Sequence, residues 1–260
     1  MSLLIMSFIF GTFLGSFANA CIWRIPRNIS ILRPGSFCTS GMKTIPIYLN
    51  IPVLSWFILK GKCYSCAEPF SFRYPLIELI TGFITALWFY RFGYSPDAFI
   101  FTYLGLILII ISVIDIDFRI IAPQLSYPLM LTGIILSPFN SLIDAPGVSA
   151  LLKSALGLVI GGGVIWLIRI VGSKAFGKEA MGLGDVKLMM GIGAFTGPAG
   201  IFWTIFAASL FGSLVGVSLK IAGKLEKFGY IPFGPFLAAG GVFYIHFSNY
   251  FSSYWYFPLT

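Results

Sequence analysis

Apolar runs long enough to cross a lipid bilayer recur along the whole chain, and few folds can accommodate them. A helix needs about 20 predominantly apolar residues to span the hydrocarbon core. Runs approaching or exceeding that length lie near residues 3–23, 76–92, 98–116, 124–139, 151–170, 186–199, 201–219 and 234–256. Hydrophobic residues make up 58% of the 260, and only 10% are charged, where a soluble domain has about a quarter charged. Each span satisfies its own backbone hydrogen bonds as a helix, so the expected fold is all-α: a polytopic membrane protein of eight transmembrane helices. The sixth run is short and rich in glycine, and prolines at 123, 128, 138, 198, 232 and 235 mark boundaries or kinks. No internal repeat or low-complexity tract interrupts the pattern.

Charge sets the orientation. FANA (17–20) has the small-residue spacing of a signal-peptide cleavage site, but no basic residue precedes it and the first, Arg24, follows it. Residues 3–23 are therefore expected to stay as a first span with the N-terminus outside. Eight spans then leave Arg24, Arg27, Arg33, Lys43, Lys60, Lys62, Arg73, Arg119, Arg169, Lys174, Lys178, Lys187, Lys220, Lys224 and Lys227 inside, against Arg91 and Lys153 outside. That asymmetry is what the positive-inside rule requires. The net charge of +8 is accounted for by topology and by anionic lipid, for which the loop with Lys220, Lys224 and Lys227 is suited; no nucleic-acid partner is expected. One cytoplasmic insertion, about residues 24–75, separates the first two spans.

Ionisable side chains at span ends are costly and are candidates for function. Asp115 and Asp117, in SVIDIDFR (112–119), end the third span, and Asp185, in MGLGDVKL (181–188), begins the sixth. The topology puts all three at one depth on the inner face. Residues two apart on a helix point about 200° away from each other, so only one of Asp115 and Asp117 can face Asp185. Two carboxylates in a partly dehydrated site share a proton, which supplies a base and an acid together. Plainer roles compete with this one. Asp185 has the place of a helix N-cap, Asp117 followed by Arg119 can form a boundary pair with headgroups, and Gly182 and Gly184 can serve a tight turn.

MGLGDVKL resembles the GxGD signature of membrane aspartic proteases, and its surroundings are similar to the type IV prepilin peptidase family. IDIDFRIIAPQLSYPL (114–129) matches the first aspartate motif of that family with Asp115 at the catalytic position. GSFANACIWRIPR (15–27), NIPVLSWFILKGKCYSC (50–66) and FRYPLIELITG (72–82) match its N-terminal half. One departure is Ala122-Pro123 where the family has Pro-Asp, a shift expected to alter a helix start and not the chemistry. The resemblance implies an aspartic endopeptidase of the bacterial inner membrane, with Asp115 and Asp185 catalytic and facing the cytoplasm. Its substrates would be prepilins or pseudopilins of type IV pilus or type II secretion systems. Their short basic leaders are cut between a glycine and a hydrophobic residue.

The insertion carries GSFCTSG (35–41) and GKCYSC (61–66). Reducing conditions favour thiols or metal there, and Cys63 with Cys66 has the C-x-x-C spacing of a metal grip. The family often has a second pair. Here Cys38 holds its first position and Gly41 the second, so a zinc site of Cys38, Cys63 and Cys66 would lack one ligand. The family also methylates the new N-terminal amine with S-adenosylmethionine, for which Glu78, Lys60 and Lys62 are the matching candidates; pairing with Arg73 is the plainer role for Glu78. On this reading residues 1–95 form a methyltransferase-like half and 96–260 the peptidase core.

Other signals are plain. Cys21 is read as an apolar packing residue and His246 as a packing or interfacial group. YFSSYWYF (250–257) is read as an interfacial belt, and GLVIGGGV (157–164) as a site of close helix approach. A proton-coupled transporter also places carboxylates on separate spans, but it favours the midplane and paired broken helices or a repeat.

Overall fold

The computed structural model describes residues 1–33, 35–38, 41, 43–223 and 231–252. Lys224, Lys227, Thr39, Ser40 and residues 253–257 of the aromatic end fall outside the described residues. Among the described residues eight α-helices follow in order: α1 Ser2–Arg24, α2 Leu54–Ile58, α3 Arg73–Phe92, α4 Pro96–Phe118, α5 Pro123–Leu136, α6 Gly147–Phe176, α7 Leu183–Ile221 and α8 Gly234–Ser252. Pairing of extended backbone among the described residues is limited to two isolated antiparallel bridges, Phe37 with Thr44 and Lys62 with Pro69.

Among the described residues four stretches are long and apolar enough to cross a membrane: Ser2–Arg27, Pro96–Phe118, Gly147–Phe176 and Leu183–Ile221. Large apolar side chains such as Phe13, Leu131, Val159 and Phe202 face outward, while Ser7, Thr12, Thr81, Ser126 and Thr204 lie inside. Water would penalise that distribution and lipid rewards it. The chain is a membrane protein.

Two compact units divide the chain, Met1–Val113 and Ile114–Thr260, with the division inside α4. In the first, α1 packs along α3 through a face of small residues that includes Gly11, Gly15 and Ala18, as membrane helices do when backbones must approach closely. This brings Glu78 of α3 against α1.

In the second unit α6 and α7 form the most extensive contact. The glycine run of α6 serves close approach, as its sequence suggested. A Cβ at Gly157 would stand under 3 Å from the Gly197 backbone, and one at Gly161 would stand 2.8 Å from the Met189 carbonyl oxygen.

The sixth and seventh expected spans form one run, α7, broken at Gly197 (φ 66°, ψ −178°) before Pro198. Unbroken, its 39 residues would measure about 58 Å, roughly twice the hydrocarbon thickness. Proline has no N–H for the Ala194 carbonyl, and Ser154 Oγ of α6 donates to that oxygen at 2.7 Å. Asn140 Nδ2 donates to the Phe195 carbonyl, also at 2.7 Å. Both side chains are buried, and the break needs them, since a buried unpaired carbonyl is costly.

Candidate active site

Asp115 lies in the last turn of α4 and Asp185 in the first turn of α7. Both are buried, at 6% and 4% exposure. The structure brings them together, close enough for the charge of Asp115 to act on Asp185. Asp115 Oδ2 accepts a hydrogen bond from the Gly234 amide at 3.0 Å, and Asp185 Oδ2 accepts one from the Gly182 amide at 3.1 Å. Among the described residues these bonds leave Oδ1 of each carboxylate uncommitted. A buried acidic pair, each member steadied by one oxygen, can bind a water and exchange a proton through the others.

Ile114 and Asp115 are buried, whereas Ile116 and Asp117 are exposed. Asp185 does cap α7, but from the third helical position: Gly182 is the N-cap residue, and the Asp185 side chain reaches back to its amide. Capping and convergence on Asp115 are therefore compatible roles of one side chain. Gly184 answers to packing more than to turning. A Cβ there would meet Ile121 Cβ at 2.8 Å, so the second glycine of GxGD gives Ile121 its place beside the pair. Pro123 occupies the first turn of α5, after extended Ala122, and so the shifted proline sets a helix start.

Gly234 and Ile121 were not legible as site residues. A Cβ at Gly234 would lie 2.6 Å from Asp115 Oδ2 and 3.4 Å from Ile121 Cδ1. Gly234 opens α8, so one of the amide donors that every helix start leaves without a partner is satisfied by a carboxylate 119 residues away.

The three insertion cysteines also converge. Cys38 and Cys63 sit at the two isolated bridges, where the Cys38 amide donates to the Lys43 carbonyl at 2.9 Å and the Cys63 amide to the Glu68 carbonyl at 2.8 Å. The sulfurs of Cys38, Cys63 and Cys66 all lie within 4.8 Å of one another, with Cys38 and Cys66 at 3.5 Å. Thiolates about 2.3 Å from one tetrahedral ion stand about 3.8 Å apart, so the three fit a zinc or similar soft cation. Burial works against the Cys63 thiolate, but the Ser65 hydroxyl and the Ser65 and Cys66 amides outweigh it and bring that thiol down to about 6. Cys66 moves the other way. A backbone hydrogen bond from Glu68 favours its thiolate, yet the neighbouring sulfurs of Cys38 and Cys63 raise it. Gly41 occupies the fourth corner: its amide donates to Cys38 Sγ at 3.5 Å, and a Cβ on it would lie 3.3 Å from Cys66 Sγ. Cys21 is buried in α1, as a packing residue should be.

Against this insertion the first unit has a partly open cavity of about 180 Å³, whose lining includes Glu78, Lys62, Arg24, Asn19, Trp23 and Trp56. Of the candidates named for S-adenosylmethionine, Glu78 and Lys62 meet there, and Lys60 is not part of the lining. Glu78 Oε2 accepts the Val53 amide at 2.6 Å. Val53 holds φ +63°, a genuine outlier for a β-branched residue, and the Leu54 amide donates back to the Pro52 carbonyl at 2.6 Å across it. Arg24 was read only as a topology charge; its place on an apolar helix end, buried to 5% exposure, is the signal that could have singled it out. His246 lies in α8 with its ring edge-on to Phe247.

Comparison with known proteins shows what the chain is similar to. Residues 9–92 match the model of the bacterial peptidase A24 N-terminal domain, and residues 102–217 match the type IV leader peptidase family. A prepilin leader peptidase/N-methyltransferase of Stutzerimonas stutzeri is 31% identical over 265 residues, covering 93% of this chain and 89% of its own. One from Bacillus subtilis strain 168 is 33% identical and covers 90% of each. One from Myxococcus xanthus is 34% identical over 83% of this chain, which spans only 62% of that protein's length. No solved structure matches the chain. With both family models covering most of its length in the expected order, the chain belongs to the type IV leader peptidase family.

Proposed function

We propose that this protein is a membrane aspartic endopeptidase that removes the short basic leader of type IV prepilins or pseudopilins and then methylates the amine it exposes. The convergence of Asp115 and Asp185 carries the first part. One member of the pair, ionised, takes a proton from a water held between the uncommitted oxygens as that water attacks the scissile carbonyl carbon. The other, protonated, donates a hydrogen bond to the carbonyl oxygen, where negative charge builds up. Collapse of the tetrahedral intermediate returns a proton to the departing amine. The charge asymmetry expected of eight spans with an outside N-terminus supports a pair facing the cytoplasm of a bacterial inner membrane. A basic leader would be held there while its apolar helix sits in lipid.

The N-terminal half, residues 1–95, is read as the methylating part and residues 96–260 as the peptidase. S-adenosylmethionine, when bound, supplies a methyl group on a sulfonium sulfur. Glu78, walled from water and steadied by the Val53 amide, can accept the substrate amine and remove its proton, and Lys62 lines the same cavity. Zinc on Cys38, Cys63 and Cys66 would clip the insertion against that cavity, which Cys63 also lines.

Incubation of the membrane-reconstituted protein with a prepilin peptide, read by intact mass with and without S-adenosylmethionine, tests both steps. Loss of the leader and gain of one methyl are expected. Asp115→Asn and Asp185→Asn should each abolish cleavage in a folded protein, and cleavage retained by either removes that residue from the mechanism.

A further inference from the structure

Arg169 stands in an apolar stretch, VIWLIRIVG (164–172), of a helix long enough to cross a membrane, where a guanidinium is costly and calls for a reason. Charge asymmetry accounts for its place near a membrane face but supplies no partner. The structure supplies two, both on the segment that leads into α7: Nη2 donates to Glu179 Oε1 at 2.6 Å, and Nε donates to the Met181 carbonyl at 3.0 Å. That segment lies along one face of α6, since residues three and four apart on a helix share a face. A Cβ at Gly172 would come within 2.8 Å of the Ala180 Cβ, and the Ala180 amide donates to Ser173 Oγ at 3.1 Å.

The Met181 carbonyl belongs to the same peptide unit as the Gly182 amide, and that amide holds Asp185 Oδ2 at 3.1 Å. A trans peptide unit is planar, with its C=O and N–H directed to opposite sides, so a donor that fixes the oxygen also fixes the direction of the N–H. A charged donor at the oxygen polarises the unit as well, which strengthens the hydrogen bond on its far side. We propose that Arg169 is a positioning residue for proteolysis: through the Met181–Gly182 peptide it aims the amide that holds Asp185 beside Asp115. Glu179 is the second partner of the guanidinium, but its side chain is 63% exposed, and ion pairs in such places contribute little. The inference rests on reading Asp115 and Asp185 as the catalytic pair and deepens it, because it extends the site to a side chain of α6 that acts through backbone.

Initial rates of prepilin-peptide cleavage by the full-length protein in lipid nanodiscs test this, with Asp185→Asn measured alongside. Arg169→Gln should lower kcat at least about tenfold while KM stays within about threefold, as displacement of a catalytic group predicts. Arg169→Lys keeps the charge but puts a carbon where Nε stands, so it should be as slow. Glu179→Gln leaves the Nε contact in place and should stay within about threefold of normal. Arg169→Ala should regain part of its kcat in dilute ethylguanidinium chloride and none in tetramethylammonium chloride, because only the first ion carries the planar N–H donors. Failure of ethylguanidinium to restore any activity makes the loss one of folding and overturns the role of Arg169. Normal kcat in Arg169→Gln or Arg169→Lys overturns it too, as does a loss in Glu179→Gln equal to that in Arg169→Gln, since the ion pair alone would then hold the segment. In each of these cases an inactive Asp185→Asn leaves the catalytic pair standing. Normal cleavage by Asp185→Asn overturns the pair, and the inference with it.

Discussion

Gly234 fixes Asp115 by what it lacks as much as by what it offers. Its amide donates to Oδ2, and the first carbon of any side chain there would stand 2.6 Å from that same oxygen. Gly234→Ala keeps the donor and adds the clash, so Asp115 must turn away from the position in which it meets Asp185. Overpacking of this kind costs about 1–3 kcal/mol, which is survivable for the fold and severe for a proton exchange. Cleavage should fall at least about tenfold in kcat with KM little changed, as initial rates on a prepilin peptide would measure; unchanged kcat would mean that the amide contact does not position Asp115. Asp117→Asn should stay near normal activity because Asp117 is exposed, and complete inactivity would place the wrong carboxylate on the inner face. The two aspartates could be read from sequence because charge is rare in apolar runs and helical spacing allows one of Asp115 and Asp117 to face inward. Gly234 could not. A glycine beside prolines in IPFGPF reads as a boundary, and only the fold brings residue 234 to residue 115. The cysteines fall between these cases: C-x-x-C announces itself, whereas the fourth corner at Gly41 emerges from its distance to Cys66 Sγ. Gly41→Cys should then tighten zinc binding at constant stoichiometry, measured by chelator competition, since a fourth thiolate closes the tetrahedron.

Among the helices, α7 shows how a break in a long apolar helix is held. The sequence marks it through Pro198 and the glycine-rich run before it, but the groups that repair it, Ser154 and Asn140, lie 40 and 55 residues away from the carbonyls they serve. No local pattern identifies them. Ser154→Ala would remove the side-chain donor to the buried Ala194 carbonyl, at a cost of about 1–3 kcal/mol, and Asn140→Ala would remove the 2.7 Å donor to the Phe195 carbonyl. Each should lower resistance to denaturation in mixed micelles by about that amount while Asp185, at the far end of that half of the helix, keeps its activity. No loss of stability in Ser154→Ala would mean that another group satisfies the break. Helix boundaries were the least legible feature. α6 runs from Gly147 to Phe176 where apolarity alone suggested 151–170, because a helix continues into polar surroundings as long as its backbone bonds persist, and hydropathy registers only its apolar part.

At the level of the whole molecule, each group of candidate residues lies within one compact unit: Asp115, Asp185 and Gly234 in Ile114–Thr260, and Glu78 and the three cysteines in Met1–Val113. If the two reactions use separate machinery, each should survive loss of the other. Glu78→Gln removes the charge that would take the amine proton but keeps a hydrogen-bond acceptor for the Val53 amide. It should release the leader at a normal rate and yield product without the added methyl. Asp185→Asn, given a synthetic peptide that already begins at the mature amine, should methylate it although it cannot cleave the precursor. Cys63→Ser should follow Glu78→Gln, because Cys63 belongs to the thiol cluster and to the wall of the same cavity. Intact mass distinguishes the three species: precursor, cleaved peptide, and cleaved peptide carrying the added methyl. If Glu78→Gln and Cys63→Ser remain folded yet lose cleavage together with methylation, the first unit is needed for proteolysis itself, and assigning one reaction to each unit fails.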